Sequence, residues 1–110
     1  MSCTATSGRL NMKLIDKMLE QLEEEVEGAR EYAEKYVECK ARGNMPRANR
    51  YKEMAHDELK HATFLKEMDI TDIDELKRVY PMTDDEQSRW EHGHKHVNDQ
   101  MAMVMHVLSM

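Results

Sequence analysis

Three Glu-x-x-His sequences punctuate the chain: Glu53/His56, Glu58/His61 and Glu91/His94. A carboxylate and an imidazole three residues apart stand side by side on one face of an α-helix. Oxygen and imidazole nitrogen donors together suit iron or manganese, with zinc as an alternative. The pattern alone carries little, because 14 Glu and 6 His in 110 residues give roughly one such pair by chance. What decides is the direction in which each pair faces.

Apolar periodicity sets that direction. Between about Pro46 and Met68 a stripe runs through Tyr51, Met54, Ala55, Ala62, Leu65 and Met68 in helical steps. Glu58 and His61 fall on the stripe, whereas Glu53 and His56 point away and read as solvated surface. Upstream, Ile15, Met18, Leu22, Ala29, Tyr32, Tyr36 and Cys39 form a heptad seam in which Glu25 is the one charged member. A third stripe from Trp90 to Leu108 takes in His94 but leaves Glu91 at its edge, so that pair reads as packing and surface. A carboxylate among apolar neighbours needs a partner, a proton or a metal. Glu25, Glu58 and His61 are therefore the candidate metal ligands, and a polar layer that fixes helix register is the alternative.

Three long segments must position these residues. Residues 1–10, rich in Ser and Thr, are expected to form a flexible tail. Helix formation is predicted from near Asn11 to about Ala41, where Gly43-Asn44 marks a stop and turn. Pro46 suits the first turn of a second helix ending near Met68, which completes a hairpin over 11–68. Thr71, with Asp74 three residues on, predicts a short connector helix over 71–79, which Pro81 ends. Thr83 with Glu86 predicts the start of a third long helix over 83–109. The expectation is one all-α domain spanning 1–110.

One hairpin supplies only two Glu and one His. Two hairpins packed antiparallel supply four Glu and two His, and four carboxylates balance two divalent ions. Inward-facing Glu from two helices and Glu-x-x-His from two others is the ligand plan of di-iron helical bundles.

The hairpin resembles one half of a ferritin-like protein of the rubrerythrin and bacterioferritin type. The resemblance rests on Glu25, on Tyr32 seven residues later, and on Glu58-Leu-Lys-His61-Ala in the next helix. It covers residues of about 12 to 68, just over half of the chain. It implies a non-haem di-iron centre in which Glu25 and His61 are terminal ligands and Glu58 spans both metals. It also implies that Tyr32 is a nearby hydrogen-bonding or redox group. Full-length relatives of that type carry two such hairpins in one chain, whereas this sequence has one, and the rubredoxin-type cysteine quartet is absent. Short encapsulated ferritins are similar in layout, although no shell-targeting extension is evident.

The resemblance implies a homodimer or larger homo-oligomer with two irons per shared site. It implies oxidation of Fe(II) by O2 or peroxide. The alternatives are peroxide reduction with electrons from a donor protein, or a non-catalytic helical oligomer. A surrounding protein shell is a further partner that the resemblance implies.

Composition narrows the classes. A net charge of −6 argues against nucleic-acid binding, which needs a basic face. Cys3 and Cys39 make neither a metal-type pair nor a disulfide framework, which fits a cytoplasmic setting, free or inside a protein compartment. The most apolar stretch, MAMVMHVL, is far short of the ~20 residues that span a bilayer. The eleven Met suggest flexible core filling rather than copper binding.

Overall fold

The computed structural model describes residues 11–110, and the expected tail over 1–10 lies outside them. All regular structure among the described residues is helical: α1 (Met12–Ala41), α2 (Met45–Val79) and α3 (Asp84–Leu108). Asn11 caps α1, its side-chain oxygen accepting from the Leu14 N–H at 2.9 Å. Gly43 turns the chain with φ 78°, a left-handed conformation that glycine adopts without a Cβ clash. Asn44 then caps α2 by accepting from the Arg47 N–H at 3.2 Å. At the far end Tyr80 is extended, as the residue before Pro81 should be. Thr83 and Glu86 form the expected reciprocal capping box of α3.

The connector helix expected over 71–79 is not a separate element. α2 runs unbroken for 35 residues through Thr71. The Thr71 hydroxyl donates to the Glu67 carbonyl at 3.0 Å, the bond of a helix-interior threonine rather than of a cap. No Gly or Pro stands between Met68 and Thr71 to break the backbone ladder. Asp69 and Ile73 carry the buried face of α2 onward past the point where a break was expected.

Helix α1 lies between the other two and packs against both. One core cluster holds Ala29, Ala33, Tyr36 and Cys39 of α1, Ala48, Ala55 and Leu59 of α2, and Val104 and Leu108 of α3. A second gathers Ile15, Met18, Leu19, Ile73 and Trp90 near the opposite end. Gly93 lets α3 approach closely, since a Cβ there would stand 2.3 Å from a Leu19 methyl. The result is a long, flat body of 60 × 25 × 17 Å.

The central position of α1 corrects its expected buried face. Leu19, Val26 and Ala33 are buried on the side towards α3, while Glu25 and Tyr32 are only partly covered. One helix that serves two neighbours needs an apolar arc wider than a single heptad seam.

Candidate metal centre

Glu25 from the middle of α1 meets Glu58 and His61 from the middle of α2. One ligand atom from each residue lies within 4.8 Å of the other two. His61 Nδ1 stands 3.8 Å from a Glu25 carboxylate oxygen. The antiparallel run of α1 and α2 brings Glu25 level with Glu58, and the three-residue step places His61 one turn further along the same side.

The cluster sits at an edge, not in the core. Glu25 and Glu58 are half-buried, and 58% of the His61 side chain is exposed. Leu22 and Ala29 on α1 and Ala55, Leu59 and Ala62 on α2, each within about one turn of a cluster carboxylate along its helix, are all buried. The three donors thus have an apolar wall at their back and an open side in front.

Electrostatics within the cluster favour an added positive charge. The neighbouring Glu25 carboxyl, first by hydrogen bonding, raises the Glu58 pKa above the ordinary carboxylate value. Burial adds to that rise, and His61 opposes it. A cation held between the two carboxyl groups would offset the repulsion that raises Glu58.

Gly28, one turn after Glu25, is a residue that the stripe reading passed over. A Cβ at that position would stand 3.3 Å from Glu58 Oε2. Its hydrogen leaves room for the Glu58 carboxylate against α1. The signal in the sequence was a lone glycine inside α1, where glycine is otherwise unfavourable.

Tyr32 is half-buried two turns after Glu25, and its ring stacks on Tyr51 at 6.2 Å between centroids. Glu53 and His56 are both exposed, as their phase requires. Glu91 is exposed and accepts from the Gln87 amide at 2.6 Å. His94 is instead half-buried, stacked on Trp90 at 5.1 Å. Burial, helped by Lys66, pushes its pKa down. Glu91 and His94 therefore do not converge as a ligand pair.

The donor set of two carboxylates and one imidazole fits a divalent first-row ion. Three donors leave coordination positions open on the exposed side. No helix among the described residues is long and apolar enough to cross a membrane. Comparison of the chain with protein-family models, with curated proteins and with solved structures found no match.

Proposed function

We propose that this chain is a ferritin-like half-bundle whose Glu25, Glu58 and His61 bind iron in a site completed by the same residues of a second copy. The convergence of these three side chains from two helices at one open edge carries the reading. Two copies then give four carboxylates and two imidazoles around two Fe(II) ions, and the fixed charges of ligands and metals cancel.

Fe(II) is the substrate in this reading. Two Fe(II) each release one electron to hydrogen peroxide, which takes up two protons and leaves as two waters; with O2 four Fe(II) supply the four electrons. Glu25 and Glu58 hold the cations and lower the cost of gathering positive charge. Loading is expected to weaken as pH falls, because a ligating carboxyl must be deprotonated and Glu25 raises the Glu58 pKa. His61 supplies a neutral nitrogen donor, and its exposed position keeps that ligand within reach of arriving ions. Tyr32 is placed by this reading as a hydrogen-bonding or redox neighbour.

Anaerobic Fe(II) titration followed by exposure to O2 or peroxide tests the proposal. The expected result is about one iron per chain, from the ligand count, and oxidation faster than in buffer alone. A purified protein that binds no iron would leave the polar-layer reading in its place.

A further inference from the structure

Helix α2 carries a second line of residues that its own chain covers only in part: Tyr51, Glu58 and Leu65 are half-buried, and Met54, His61 and Met68 are exposed. Tyr51, Met54, Glu58, His61, Leu65 and Met68 alternate steps of three and four. This line lies roughly 90° around the helix from Ala55, Leu59, Ala62 and Ile73, the face buried inside the chain. Met54 is 40% and Met68 59% exposed, on either side of the open His61. A heptad line of this kind is the seam by which one helix packs along another.

The line is symmetric about the point between Leu59 and Lys60. Tyr51 is as far from that point as Met68, Met54 as Leu65, and Glu58 as His61. Beyond them, on the same line and again equidistant, stand Arg47 and Asp72, both exposed. The asymmetry of charge is broader than this pair. Residues 35–52 carry six Lys or Arg and one Glu, whereas residues 67–86 carry eight Asp or Glu and two Lys or Arg. These segments occupy opposite ends of α2.

We infer that α2 pairs antiparallel with α2 of a second copy, about a twofold axis between Leu59 and Lys60, with Arg47 of each copy clasping Asp72 of the other. The inference rests on the two-copy site proposed above and assigns its register. Self-pairing about that axis sets apolar side chains against apolar ones and Glu58 against His61 of the partner subunit. It also lays each basic end along an acidic end. Parallel pairing would set Arg47 on Arg47 and Asp72 on Asp72, a like-charge arrangement that opposes association. The axis passes beside Glu58 and His61, so the contact that joins the copies is also the one that completes the ligand set.

Cysteine cross-linking tests the register. Under mild oxidation the double variant Met54→Cys/Leu65→Cys is expected to form a covalent dimer. Each single variant is expected to form none, because equivalent positions would be about 16 Å apart along the axis. All variants are made in a Cys3→Ser chain, which keeps only the buried Cys39 and is the control. Cross-linking by Met54→Cys alone, or none by the double variant, overturns the register. Charge exchange provides a test that keeps every apolar side chain of the seam, although Arg47→Asp also removes the hydrogen bond from Arg47 to the Tyr51 hydroxyl. Arg47→Asp or Asp72→Arg alone should weaken the dimer about tenfold, and the two together should restore it; failure to restore overturns the clasp. Fe(II) titration of the same samples separates this inference from the site reading. Iron bound without the double-variant cross-link keeps the shared site and overturns the register. A cross-linked dimer that binds no iron keeps the register and overturns the iron reading.

Discussion

Two regions of the molecule set carboxyl groups against apolar walls, and they differ in company. At Glu25, Glu58 and His61, three donors from two helices converge at an edge open to ions. At Asp69, a single carboxyl is enclosed at 7% exposure, and its Oδ2 accepts no hydrogen bond. Burial, reinforced by Asp72, raises the Asp69 pKa to about 6. His94 Nε2 is likewise buried without a partner. Both regions hold perturbed acids, so perturbation alone does not mark a binding site. Convergence and access do: several lone pairs must meet at one point that an ion can enter. An isolated buried acid lowers stability and offers a metal too few donors.

Substitution at the two regions should separate them most sharply. Glu58→Ala is expected to reduce anaerobic Fe(II) affinity by about 100-fold or more, given the usual cost of disturbing a ligand sphere. Asp69→Ala is expected to leave that affinity unchanged. Equal losses in the two titrations would erase the distinction between the regions.

Stability measured with metal should follow the same division. Fe(II) at about 100 times its dissociation constant adds about 2.7 kcal/mol to a folded state that alone binds it. The expected rise in melting temperature, measured anaerobically, is several degrees for the wild-type chain and for Asp69→Asn. It is absent in Glu58→Ala, and a wild-type melt indifferent to Fe(II) would break the comparison at its binding side.

The Asp69 side is read by pH. Its folded pKa of about 6 lies above the ordinary Asp value of 3.8, so the folded state holds the proton more tightly. The corresponding stability is fully present below the unfolded value and is lost as pH rises through the folded one. Asp69→Asn should therefore raise stability at pH 7 by on the order of 1–2 kcal/mol and flatten the profile between these values. Denaturant unfolding across that range checks both the sign and the window. A wild-type profile that instead gains stability there would show that Asp69 has a stabilising partner.

The smallest effect comes from Gly28→Ala, and its two readouts should move in opposite directions. Alanine stabilises a helix interior by up to about 1 kcal/mol relative to glycine. The added methyl would crowd Glu58 Oε2 at 3.3 Å, so iron affinity should fall a few-fold while the melting temperature rises. Affinity unchanged would show that Glu58 swings clear.

Much of this arrangement was legible in the sequence, for local reasons. Asn11, Gly43-Asn44 and the Thr83/Glu86 pair specify helix ends through short-range hydrogen bonds, and the structure uses all of them. Helical phase sufficed to separate Glu58/His61 from Glu53/His56. Thr71 misled because the same hydroxyl caps one helix or bonds back within another, and tertiary burial of Ile73 favours the continuous form. The stripe on α2 merged two lines, the one buried by this chain and the one left open, since adjacent apolar arcs blur into a single periodic signal. Asp69 and Gly28 were passed over because their meaning depends on which helix lies opposite.

The unbroken course of α2 has a consequence for how this sequence tolerates insertion and loss. With no joint between His61 and Asp72, one residue added or deleted there would turn everything beyond it by about 100°. Ile73 would leave the core and Asp72 its line at a stroke. The turn between α2 and α3, residues 80–83, has no such phase to keep. Length variation compatible with this fold should therefore concentrate at the turns, and the stretch from Glu58 to Asp72 should behave as a ruler of fixed length.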